Sequence, residues 1–182
     1  MIITITGTPG TGKTYFAKLL AKKIGYRYLD LNGMIKAERL YDGYDRKDKT
    51  FDVDTKKLSR FLNMLLKKYS YNKDDPNQKN NIKVFHGLMD KSIDLKKFFQ
   101  KSKLRYTRKN SVNNIIIDSH LSHYIDSDIC FVMRTSIDKL SKRLKKRKYP
   151  KKKIMDNVES EIFGLCLEEA KALKHKCVII NN

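Results

Sequence analysis

The chain has 182 residues and carries 40 Lys and Arg against 20 Asp and Glu, a formal charge of +20. That length suits one domain, small inserts included, with a core worth burying. No stretch approaches the roughly 18 apolar residues of a membrane span, and a glycine-rich loop that starts at Gly7 leaves no room for a signal peptide, so a cytoplasmic protein is expected.

Cys130, Cys166 and Cys177 are odd in number and lack C-x-x-C spacing, which suits reduced core thiols better than disulfides or zinc. The cationic excess attracts phosphate polyanions without sequence specificity, and RNA is the natural candidate. A lysine- and asparagine-rich, simply solvated surface is the alternative.

Met1 to Thr14 read MIITITGTPGTGKT. Ile2, Ile3 and Ile5 form a β-branched run that predicts a buried strand, and Gly7, Gly10, Gly12, Lys13 and Thr14 then satisfy G-x-x-x-x-G-K-[ST]. FAKLLAKKI supplies the helix that should follow. Glycines in this pattern bring backbone N–H groups within reach of phosphate oxygens at the positive end of a helix. Lys13 is expected on the β- and γ-phosphates of a nucleoside triphosphate, and the Thr14 hydroxyl on Mg²⁺.

Gly25 is expected to close this helix, and Tyr26–Leu31 alternates as a second strand. Asn32 is a candidate cap for a short helix over GMIKAERL, and Tyr41-Asp42-Gly43-Tyr44-Asp45 reads as a loop bent at Gly43. Asp54 is expected to cap an amphipathic helix that turns Leu58, Phe61, Leu62, Leu65 and Leu66 inward. From 70 to 113 the pattern degrades into a polar stretch with Pro76 and then a lysine-rich segment, read as a basic insertion.

Asn114-Ile115-Ile116-Ile117-Asp118 is an apolar strand ending in a carboxylate, the form of a Walker B strand whose Asp reaches Mg²⁺ beside the phosphate loop. His120 follows two residues later, able to orient water or a phosphate, or simply an ordinary surface histidine. Ile129–Met133 is a further buried strand, and Ser136 is expected to cap the helix after it. Pro150 interrupts the cationic cluster Arg147–Lys153, a solvated helix face or a lid. Ile154–Leu173 reads as one long helix with Val158, Ile162, Leu165 and Cys166 inward, and Cys177–Ile180 as the last strand. Five strands alternating with helices predict an α/β fold: a parallel sheet with helices on both faces.

GTPGTGKT, LYDGYD (Leu40–Asp45), IIIDSH (Ile115–His120), FVMRT (Phe131–Thr135) and KKRKYPKKKIMDNVESEIF together resemble adenylate kinase isoenzyme 6, an atypical adenylate kinase also described as a ribosome-assembly ATPase. The similarity covers about residues 1–69 and 114–180. It implies a P-loop fold of the nucleoside monophosphate kinase type, with a monophosphate-binding segment over 30–53 and a lid over 146–156 within one domain, 1–182.

ATP would be held by Gly10, Gly12, Lys13, Thr14, Tyr15 and the lid's Arg147, with Arg134 and Arg143 matching nearby family arginines. Mg²⁺ would sit on Thr14 and Asp118. Lys36, Tyr41, Asp42, Gly43, Tyr44 and Asp45 would face AMP or another monophosphate. Lys13, Asp118, His120 and Arg147 would carry phosphoryl transfer, and the Asp118–His120 pair is linked in the family to hydrolysis. The resemblance further implies a partner, small-subunit ribosomal protein uS11, and a role in rRNA maturation, for a monomer or weak oligomer.

Three features depart from that pattern. Tyr15 stands where many members have Thr, Lys36 replaces an arginine expected near AMP and lacks its bidentate fork, and the 70–113 insertion is additional.

Overall fold

The computed structural model describes residues 1–47, 50–69 and 114–182. The insertion predicted over 70–113 lies outside the described residues. In chain order the elements begin β1 (Ile2–Thr6), α1 (Lys13–Ile24), β2 (Arg27–Asp30), α2 (Leu31–Ala37), β3 (Gly43–Asp45), β4 (Thr50–Asp52) and α3 (Thr55–Tyr69). They continue β5 (Ile115–Asp118), a 3₁₀ turn (Ser122–Tyr124), β6 (Ile129–Arg134), α4 (Ile137–Lys146), α5 (Lys151–Phe163), α6 (Leu165–Ala172) and β7 (Cys177–Asn181).

Five strands form one parallel sheet in the order β2-β5-β1-β6-β7, as the alternation of strands and helices predicts. Successive side chains of a strand point to opposite faces, and both faces are covered. On one, Ile3, Ile5, Ile116, Phe131 and Met133 pack with Ala17, Leu20, Ala21 and Ile24 of α1. On the other, Ile117 packs with Leu31, Ile35, Leu58 and Leu62 of α2 and α3. Cys130 and Val132 meet Leu167 and Ala170 of α6 there as well. The three cysteines are free thiols, Cys130 buried and the other two partly so. No helix among the described residues is long and apolar enough to cross a membrane.

Several local expectations need correction. The second strand ends at Asp30, and Asp30, not Asn32, caps α2: its Oδ1 accepts from Gly33 N at 3.1 Å. Asn32 Oδ1 instead accepts from Ser119 Oγ at 3.0 Å. Tyr41–Asp45 is not a plain loop, because Gly43–Asp45 pairs antiparallel with Thr50–Asp52, and Tyr41 and Tyr44 both stack on Phe51. Asp54 does cap α3, accepting from Lys56 N and Lys57 N. Ser136 precedes α4 in an extended conformation but makes no capping hydrogen bond.

The long helix expected over 154–173 starts earlier, at Lys151, and breaks at Gly164, whose φ is +65°. The break rotates the two halves, so Ile162 and Leu165 are exposed and Glu161, Leu167 and Ala170 face inward. Gly164→Ala should cost roughly 1–2 kcal/mol, since its φ is left-handed and a Cβ would lie 3.1 Å from Arg134 Nη1. Chemical denaturation checks this, and wild-type stability would show that the junction relaxes freely.

Candidate active site

β1 delivers the chain to the carboxyl edge of the sheet, where Gly7 turns with φ +135° against the Met133 carbonyl, leaving no room for a Cβ. Gly10 and Gly12 also have positive φ, and α1 begins at Lys13. The loop therefore wraps the N-terminus of a twelve-residue helix, where N–H groups lack intrahelical partners. Lys13 folds over it, Nζ donating to Gly7 O at 2.7 Å and Thr8 O at 3.0 Å. Burial lowers its pKa to about 8, while the charge of Asp118 opposes the shift.

β5 lies beside β1 with Asp118 opposite Ile5, so the carboxylate emerges next to the loop. The Thr14 hydroxyl is close enough to Asp118 to favour its charged form, and Tyr28 Oη on β2 donates to its Oδ2 at 3.2 Å. Oδ1 is buried with no hydrogen-bond partner among the described residues. Burial raises the pKa of Asp118, with Thr14, Lys13 and Tyr28 acting the other way. A buried carboxylate oxygen without a donor, next to a threonine hydroxyl, fits a hard oxygen-seeking cation such as Mg²⁺. No cluster of three or more His, Cys, Asp or Glu among the described residues forms another candidate cation site.

His120 is partly buried, and burial followed by the Lys13 charge pushes its pKa down to about 4, so its imidazole is neutral at pH 7. Its backbone O accepts from Thr6 Oγ1 at 3.2 Å, which ties the turn after β5 to the base of the loop. Arg143 Nη1 donates to Gly10 O at 3.1 Å, and Arg147, exposed just beyond α4, is close enough for its charge to act on Lys13. Tyr15 is 76% exposed, and its side chain projects outward from α1.

In the hairpin segment Lys36 lies over the Phe51 ring at 5.4 Å, and Tyr44 stacks on the same ring. Asp42 is paired with Lys57 at 3.0 Å, and Asp45 Oδ1 accepts from Lys47 N. Lys153 in the first turn of α5 donates to Thr50 Oγ1 at 2.9 Å, joining the basic cluster to the hairpin.

Sequence reasoning missed two side chains. Glu161, 3% exposed, has its Oε2 2.6 Å from Thr8 Oγ1, which donates to it, and its Oε1 accepts from Thr135 N at 3.0 Å. Arg134 pairs with the same carboxylate at 3.4 Å and donates to the Glu161 carbonyl, so this arginine braces α5. Tyr28 is the other. Its only signal was an aromatic residue in a short alternating strand, and a charged residue on a helix carried none for Glu161.

The AAA domain family matches residues 3–164. The chain belongs to this family. A Methanosarcina mazei protein named "Putative adenylate kinase" is 35% identical over 170 residues, covering 93% of this chain and 72% of the relative. A Methanocaldococcus jannaschii protein of the same name is 28% identical over 171 residues, 94% of this chain and 72% of its own. Among solved structures, deoxyadenosine kinase from M. mycoides with bound dATP superposes with TM-score 0.44 at 14% identity, covering all of this chain and 91% of that one.

Proposed function

We propose that the chain is a nucleoside monophosphate kinase of the adenylate kinase isoenzyme 6 type, converting ATP and AMP to two ADP and hydrolysing ATP when no acceptor is bound. One observation carries the reading: the Lys13 ammonium, the Thr14 hydroxyl and the Oδ1 of buried Asp118, unpartnered among the described residues, converge at one sheet edge. The name borne by the archaeal relatives supports a kinase rather than another P-loop chemistry.

Phosphoryl transfer needs positioning and charge neutralisation more than covalent catalysis. Loop N–H groups and Lys13 hold the β- and γ-phosphates, while Thr14 and Asp118 would hold Mg²⁺, which would help neutralise the charge of the transferring group. An AMP oxygen forms the new bond to the γ-phosphorus as the bond to the β-phosphate bridging oxygen breaks, and ADP leaves. AMP arrives ionised, so no general base is required. The 30–53 segment holds the acceptor, the 146–156 segment with Arg147 acts as lid, and the single domain spans 1–182. His120, uncharged, orients water when AMP is absent.

A second reading is favoured by the charge of +20 and the exposed Lys145, Lys146, Lys148, Lys151 and Lys152 around the lid. It makes the ATP cycle a switch that controls binding to protein uS11 or rRNA during small-subunit maturation. ADP formation measured with ATP alone, with each nucleoside monophosphate and with uS11 separates the two. Acceleration by AMP supports the kinase, and acceleration by uS11 alone the switch. His120→Ala should reduce hydrolysis without acceptor by roughly 10²-fold and transfer to AMP far less. Equal losses would remove its role toward water.

A further inference from the structure

Asp118 has two carboxylate oxygens, and the structure treats them differently. Oδ2 receives the Tyr28 hydroxyl at 3.2 Å, whereas Oδ1 is buried with no hydrogen-bond partner among the described residues. A carboxylate turns about a broad, roughly two-fold torsion, so one directed donor decides which oxygen faces which way. Tyr28 is suited to that task. Its ring packs against the α1 core cluster, Lys18 of α1 sits over it at 5.5 Å, and β2 is paired in register with β5. The hydroxyl is therefore aimed from a fixed ring.

We infer that Tyr28 is a positioning residue for the divalent cation: by anchoring Oδ2, its hydroxyl fixes the turn of the Asp118 carboxylate and leaves Oδ1 free as the metal ligand. The inference rests on the proposed metal role of Asp118. Donors behind a metal ligand typically change metal affinity 10–100-fold when removed, because they set the ligand's orientation. Mg²⁺ demands near-ideal octahedral geometry, while Ca²⁺ accepts irregular coordination. A loss of orientation should thus be felt more by Mg²⁺.

Tyr28→Phe keeps the ring and deletes the donor. The test is equilibrium ATP binding to the full chain in EDTA, in Mg²⁺ and in Ca²⁺, with melting followed in EDTA. The expected result is unchanged metal-free ATP affinity, about tenfold weaker binding in Mg²⁺ and a smaller loss in Ca²⁺, with a melting temperature in EDTA lowered by no more than the one lost hydrogen bond accounts for.

Removing a donor also makes a carboxylate more basic, so tighter binding in Mg²⁺ would mean that the hydroxyl acts on charge and not on orientation. That outcome overturns the inference, as does an unchanged Mg²⁺ affinity or an equal loss in EDTA. A melting temperature lowered in EDTA with the Mg²⁺ and Ca²⁺ losses equal assigns Tyr28 to packing alone, which overturns it too. Wild-type protein that binds ATP no tighter in Mg²⁺ than in EDTA would instead remove the metal role of Asp118 itself.

Discussion

Lys13→Ala is expected to lower transfer from ATP to AMP by on the order of 10²–10³-fold, the loss seen when one donor to developing charge is deleted from a preorganised site. The ammonium is buried at the loop's mouth on two carbonyls, so phosphate oxygens meet a cation that has already been desolvated. Stability should change less than activity, because two opposing effects accompany the substitution. Removing a buried charge relieves a desolvation cost, and the Gly7 and Thr8 carbonyls lose a donor.

Single-turnover ADP formation and melting curves measure the two effects separately, and near-wild-type turnover would remove Lys13 from the site. The same residue predicts a pH signature. Its pKa of about 8 means that the ammonium neutralises as pH rises past that value, and phosphate binding requires the charged form. Wild-type ATP affinity should fall above about pH 8, and Lys13→Ala should lack that fall.

Glu161→Ala should destabilise the fold by about 3 kcal/mol, the lower part of the range for removing one partner of a buried ion pair. Three groups lose their acceptor at once: the Thr8 hydroxyl, the Thr135 N–H and the Arg134 guanidinium. Arg134 is 31% exposed and recovers some hydration, which keeps the cost from the top of that range. Glu161→Gln should cost less, since its amide oxygen still accepts from Thr135 and its NH₂ can donate to Thr8. Urea denaturation of the two variants gives the order, and a Glu161→Ala change within 0.5 kcal/mol, the scale of ordinary surface substitutions, would mean the carboxylate is not a brace.

The phosphate loop, Asp118 and the five strands were readable because each is a contiguous pattern whose meaning depends on its immediate neighbours. The Asp54 cap was readable for the same reason. What escaped reading depends on partners far along the chain or on competition between adjacent residues. Glu161 is defined by Thr8, 153 positions away, and no periodicity reports that. The Gly43–Asp45 strand is only three residues long, and it exists because Thr50–Asp52 returns beside it with Phe51 under two tyrosine rings. At α2 the local pattern points to Asn32 as the cap, but Asn32 takes a tertiary bond from Ser119 and Asp30 caps the helix. Gly164 reads as part of one long helix, because its contact with Arg134 lies outside local sequence.

The order of the sheet bears on how the chain reaches this state. β1 is made first yet lies between β5 and β6, so Ile2 waits for Ile115 and Ile3 for Ile129. Pairing across such separations closes a long loop before it gains contacts, and it slows folding accordingly. During synthesis β1 and its glycine turn must remain unpaired until β5 and β6 have left the ribosome. The phosphate cradle that follows β1 is therefore completed only after those later strands have been made.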